Sequence, residues 1–169
     1  MQDLTPLFLR GGCALSDFRV QKCIERLAPF GVHKVEVSWR YFVELEGALA
    51  DAEQAFLCEL LQASPYSPEA SGLLVVPRLG TVSPWSSKAT DIARNCGLAA
   101  VRRIEHGRAW RLFDRRGKPV PVHALGRAGL AEIHDRMTES VLEDEREAAR
   151  LFHHVAVSYT HLRAHETPE

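Results

Sequence analysis

Metal chemistry is the first possibility the residue types raise, because His153, His154, His161 and His165 crowd the end of the chain and imidazole is a common zinc ligand. His161 and His165 stand at i, i+4 and would share one face of a helix. The rest of a zinc pattern is missing: no Glu follows His161 as HExxH requires, and adjacent His153 and His154 point to different sides of a helix. The four are read as a surface cluster, and no metal ligand is assigned.

Anion binding is the second possibility. The passage from Gly80 to Asp91, Gly-Thr-Val-Ser-Pro-Trp-Ser-Ser-Lys-Ala-Thr-Asp, places Ser86, Ser87 and Lys88 where a helix begins. Free N–H groups and the helix dipole there can hold an anion. The spacing GxxxxGK followed by Ser or Thr is absent, and Pro84 removes one backbone donor. The passage reads more readily as a capped helix with Trp85 as a packing anchor than as an anion site.

Covalent chemistry has less support. The chain has neither a GxSxG elbow nor a glutaminase-type cysteine in a tight glycine-flanked turn, and Cys13 follows Gly11-Gly12 without a nearby histidine. Asp135 and Glu139 lie at i, i+4 beside Arg136 and read as a solvated helix face rather than a catalytic dyad. No catalytic, cofactor-binding or metal residue is therefore assigned.

The elements that would carry these groups alternate along the chain. Leu7-Phe8-Leu9 predicts a short buried strand, and Ser16 caps a helix to about Pro29 whose core face is Val20, Cys23, Ile24 and Leu27. Residues 33 to 46 alternate as a long strand, with Val35, Val37, Trp39 and Tyr41 on one parity and a bulge near Arg40. Asp51 with Gln54 resembles a capping box opening a second helix that ends before Ser64-Pro65. After a loop to residue 72, Leu73-Leu74-Val75-Val76 reads as a central strand. Ser86 or Ser87 caps a helix through Asn95, with Gly97 as its stop. Ala99 to Ile104 and Ala109 to Phe113 form a hairpin across His106-Gly107-Arg108. A last helix runs from Ala128 to Phe152 on Leu130, Ile133, Met137, Val141, Ala148 and Leu151.

These elements predict an α+β fold, a largely antiparallel sheet with helices packed on one face. Its core occupies residues 1–126 and a C-terminal helix residues 127–155. Residues 156–169 resemble a translated sequencing-adapter fragment and are excluded from fold reasoning as a non-native tail. With 169 residues, 46% hydrophobic, there is material for one domain with a real core. A net charge of −1 gives no global attraction to nucleic acid or to an anionic membrane. Charge is segregated, however: Arg102 to Lys118 holds seven basic and two acidic residues, and Glu132 to Glu147 seven acidic and two basic. The two stretches are read as a solvated hairpin beside a solvated helix face. Cys13, Cys23, Cys58 and Cys96 form no CxxC pair and read as reduced, mostly buried thiols. With no secretory signal and no long apolar run, a soluble cytoplasmic protein is expected.

Several strings carry a family resemblance. They are Arg10-Gly-Gly-Cys-Ala-Leu-Ser-Asp-Phe-Arg19, the run from Leu74 to Ala93, Asn95-Cys-Gly-Leu98, Val101-Arg-Arg-Ile-Glu105 and Ile133-His-Asp-Arg-Met-Thr-Glu-Ser-Val141. In this order and spacing, over roughly residues 7 to 154, the chain resembles the beginning of the large single-chain phosphoribosylformylglycinamidine synthases. The string Ser83-Pro-Trp-Ser-Ser-Lys-Ala-Thr-Asp-Ile92 is the most specific part.

The resemblance implies a ligase of purine biosynthesis that uses ATP, magnesium and glutamine in later synthetase and glutaminase domains of the same chain. Those domains would be this segment's partners, with no nucleic acid and no membrane involved. It also implies that the segment is a non-catalytic organiser similar to a duplicated small bacterial subunit, binds no cofactor itself and is inactive alone. Ser83, Trp85, Ser86, Ser87, Lys88 and Asp91 are the candidate interdomain contacts, with Trp85 as the buried anchor. The alternatives are a stand-alone interaction module that docks on a separate synthetase subunit, and a basic-hairpin RNA binder using Arg102 to Lys118 and Trp110.

Overall fold

Alternation of apolar and polar side chains in two long strands builds the centre of the molecule. The computed structural model describes residues 6–68 and 72–152. In chain order it contains β1 (Leu7–Cys13), α1 (Asp17–Leu27), β2 (Lys34–Leu45), α2 (Asp51–Leu61), the two-residue β3 (Ser64–Pro65) and β4 (Leu73–Pro77). These are followed by α3 (Pro84–Asn95), β5 (Val101–Phe113), the short α4 (Gly126–Leu130) and β6 (Glu139–Leu142). The strands make one six-stranded sheet in the order β3-β1-β2-β5-β4-β6. Every pairing is antiparallel, so the α+β class with a largely antiparallel sheet holds.

β2 and β5 pair along almost their whole length, Lys34 opposite Phe113 and Glu44 opposite Arg103. Partners across a ladder share a face, so the odd residues of β2 lie with the even residues of β5. On that face α1 and the α4 region close a cluster of Leu27, Val35, Val37, Leu73, Trp110 and Leu125, while α2 and α3 close another around Leu9, Val43, Leu57, Ala93 and Ile104. The opposite face holds Phe8, Phe42, Leu74, Val76 and Leu142. A 3-10 segment, Glu145–Phe152, covers it and buries Glu145, Ala148 and Leu151, the i, i+3 spacing that such a helix aligns on one side.

Burying Glu145 requires a partner, and Arg40 from β2 supplies it. The guanidinium Nε donates to a Glu145 oxygen at 3.2 Å with both side chains under 10% exposed, and Nη1 donates to Ser38 Oγ at 2.8 Å.

Several local expectations are corrected. Residues 127–155 do not form one helix: α4 stops at Leu130, β6 joins the sheet beside β4, and the 3-10 segment follows, so this stretch is integral to the fold. The predicted hairpin at His106-Gly107-Arg108 is the uninterrupted middle of β5, a strand of 13 residues. The basic stretch is accordingly a strand and a turn, and Trp110 is 4% exposed within the core. The irregularity opposite Arg40 is on the neighbouring strand, in β1 between Arg10 and Cys13, and a second register shift between β2 and β5 falls at Glu44 and Leu45. The α2 cap is one residue earlier than predicted, with Glu53 accepting from the Ala50 N–H at 3.0 Å. The loop expected from residue 64 contains β3. No cysteine is fully buried; Cys13 and Cys96 are exposed and all four thiols are free. The acidic and basic stretches meet where Arg108 donates to Glu139 at 2.8 Å. Part of the N-terminal stretch, residues 69–71, His153, His154, His161, His165 and the 156–169 tail lie outside the described residues.

Removing one member of a buried ion pair deprives the other of its counter-charge, which costs about 3 kcal/mol. Arg40→Met is expected to lower the unfolding free energy by about that amount in urea titration, and Arg40→Met combined with Glu145→Leu to recover most of it. A loss under about 1 kcal/mol for the single variant would show that the pair does not anchor the C-terminal segment.

Candidate functional site

The segment from Val82 to Ile92 owes its conformation to a gap in the sheet. β4 pairs with β5 over Arg108 to Trp110, so among the described residues the β5 edge from Val101 to Gly107 has no strand on that side. Buried backbone groups need partners, and α3 brings side-chain hydroxyls to Ile104. Ser86 Oγ donates to the Ile104 carbonyl, and Thr90 Oγ1 accepts from the Ile104 N–H at 3.0 Å while donating to Ser86 O at 2.7 Å. Both side chains are buried.

The helix begins at Pro84, a residue suited to the first turn because its missing N–H needs no partner there. The cap is Ser83, not Ser86 or Ser87: its Oγ accepts from Ser86 N at 3.0 Å and donates to Glu105 Oε1 at 2.8 Å. Glu105 is fully buried and accepts also from His106 N and from Arg103 Nη2, each at 3.1 Å. Arg103 then reaches in three further directions, to Thr81 O at 2.9 Å, Leu151 O at 2.8 Å and Ser86 Oγ at 3.3 Å.

Trp85 packs inward. Its ring stacks on His106 with centroids 3.8 Å apart and faces Tyr41 at 6.0 Å, and His106 stacks in turn on Trp39 at 5.0 Å. Burial in this aromatic row pushes the His106 pKa below its ordinary value of 6.5; Glu105 and Glu139 act in the opposite direction and Arg108 in the same one.

Of the six residues singled out from the sequence, Ser83, Trp85 and Ser86 are thus used within the fold. Ser87, Lys88 and Asp91 point outward, and the Lys88 and Asp91 side chains make no hydrogen bond or ion pair among the described residues. Val82 and Ile92 flank them, 53% and 51% exposed. The sequence reading missed Arg103, Glu105 and His106 as parts of this arrangement. The available signal was a Glu placed in a strand otherwise patterned for burial. Among the described residues no group of three or more His, Cys, Asp or Glu is placed to hold a metal ion, and no helix is long and apolar enough to cross a membrane.

An antiparallel α+β domain whose signature helix shields a sheet edge is the class these features define. The family model described as formylglycinamide ribonucleotide amidotransferase N-terminal matches residues 38–152, and the chain belongs to this family. The family is the N-terminal part of an enzyme of purine biosynthesis. The match includes β2 from Ser38 onward, α2, α3, β5 and the 3-10 segment, and with them the whole Ser83–Glu105–Arg103 network.

Two measurements check this site. Thr90→Val, close in shape but without the hydroxyl, leaves the Ile104 N–H without its acceptor and is expected to cost about 1–3 kcal/mol of stability; a neutral result in chemical denaturation would show that the edge is satisfied otherwise. For His106 the folded pKa lies below the unfolded one, so between the two values the unfolded chain carries a proton that the folded chain lacks. The contribution of His106 to stability is therefore complete above about pH 6.5 and is lost as pH falls through the folded value. His106→Phe, which keeps a ring in the row, is expected to flatten the stability–pH profile below about pH 6.5 relative to the unsubstituted chain.

Proposed function

We propose that this chain acts as the assembly domain of a formylglycinamide ribonucleotide amidotransferase, docking on the synthetase portion of the enzyme through the outward face of α3. The observation that carries the reading is the division of labour along one helix. Its inward residues Ser86 and Thr90 close the sheet edge, while Lys88 and Asp91 face outward with no hydrogen bond or ion pair among the described residues, and Val82 and Ile92 of the same segment are exposed. Mixed charge around small apolar groups is the composition of a specific interface rim and core.

In this reading the enzyme is a ligase that converts formylglycinamide ribonucleotide into its amidine, using ammonia released from glutamine. ATP and magnesium belong to the synthetase portion; the described residues offer no grouping suited to the metal. Catalytic groups lie in the partner domains, the enzyme working in the cytoplasm. This domain contributes position, and holding reacting domains in register protects an intermediate from water. Trp85 serves the interface indirectly, by fixing α3 on the sheet through its stack on His106.

Binding of the chain to a separately produced synthetase–glutaminase polypeptide tests the proposal. Lys88→Glu is expected to weaken that binding about tenfold or more while leaving the melting temperature unchanged, since the side chain is exposed. Full-strength binding by Lys88→Glu, Asp91→Lys and the double variant alike would exclude this face of α3 as the docking surface.

A further inference from the structure

Helices α1 and α3 leave a groove between them on the sheet face they share. The two apolar clusters of that face stop on either side of it, one under α1 and one under α2 and α3. The groove encloses about 370 Å³, lined by Leu15 and Arg19 from the start of α1, by Trp39, His106 and Arg108 on the sheet, and by Glu139 at the far edge. That volume falls within the range of about 300–1,000 Å³ seen for small-molecule sites.

Its floor is the end of the aromatic row. Tyr41, Trp85, His106 and Trp39 follow one another with interplanar angles of 29°, 20° and 24°, and Trp39, half-buried, is the last ring and lines the cavity. A further planar ring laid against it would continue the stack, an arrangement in which aromatic side chains on a sheet hold heteroaromatic bases.

The charges along the groove are unequal. Arg108 is matched by Glu139 at 2.8 Å, and the second oxygen of Glu139 accepts from Asp135 N at 2.9 Å. The Arg19 guanidinium has no ion pair or hydrogen bond among the described residues, which leaves one positive charge at the mouth. From stacked floor and unmatched guanidinium together, the geometry points to a binding site for a small planar heteroaromatic ring bearing an anionic group, the chemistry of a nucleoside monophosphate. The ring lies on Trp39, and the anion on Arg19. This site does not rest on the docking role of α3, because no residue of that helix lines the groove.

Titration of the whole chain with adenosine monophosphate, read by tryptophan fluorescence and calorimetry, tests the site. Saturable quenching is expected, with adenosine binding about tenfold more weakly and ribose 5-phosphate producing no quenching. Arg19→Ala, at an exposed position, is expected to weaken the nucleotide about tenfold and to leave adenosine unchanged. Trp39→Leu, with folding verified by circular dichroism, should weaken both. Lys88→Glu, which tests docking, should alter none of these titrations. No saturable signal up to about 10 mM nucleotide would overturn the proposal. So would equal binding of nucleotide and ribose 5-phosphate, or insensitivity of the nucleotide to Arg19→Ala.

Discussion

An uncovered length of strand edge governs much of this molecule. β5 runs on from Gly107 back to Val101 beyond the point where β4 leaves it, and among the described residues no other strand takes that place. Unpaired N–H and C=O groups buried at such an edge would each cost on the order of a kilocalorie or more per mole. The solution is a helix laid beside the strand with hydroxyl side chains at two successive inward positions, Ser86 and Thr90. Once that helix is fixed, its cap, its aromatic anchor and the carboxylate beneath the cap follow from the need to seat its first turn. Covering an edge in this way also removes a template for unwanted strand pairing.

The two faces of the sheet are closed by different means. One takes amphipathic helices whose apolar stripes meet Val35, Val37 and Val43. The other takes an eight-residue 3-10 segment that brings Ala148, Leu151 and half-buried Phe152 as apolar contacts and adds a buried ion pair to Arg40. Arg103 joins the two systems, because its guanidinium bonds to the C-terminal segment at Leu151 and to the signature helix at Ser86.

Much of the frame was legible in the sequence where periodicity was long and unambiguous. Val20, Cys23, Ile24 and Leu27 announced α1, and the alternation from Val35 to Tyr41 announced β2. The errors came where one residue type serves two purposes. Gly107 between His106 and Arg108 looked like a turn, yet the glycine is there because a Cβ would meet Val75 O and Val76 Cγ1 at 2.8 Å; it marks the close approach of β4. The helical spacing from Leu130 to Leu151 was real as arithmetic. The chain nevertheless satisfies Val141 and Leu142 in a four-residue edge strand and leaves Met137 75% exposed, a tertiary choice that local pattern cannot show. Of the candidate site, the motif was visible as an unusual string, but its split into inward and outward residues required the helix start at Pro84, two residues before the first of the predicted caps, and the position of β5 beneath it.

The single guanidinium of Arg103 has a mechanical meaning. It grips the carbonyl of Leu151, one residue before the last described position, and the carbonyl of Thr81, two residues before the helix cap, while its Nε touches Ser86. Tension applied to the chain at Phe152 therefore reaches the start of α3 across a few ångströms instead of traversing the sheet. The start of the signature helix and the end of the 3-10 segment are thus held by one guanidinium, itself bonded to the fully buried Glu105.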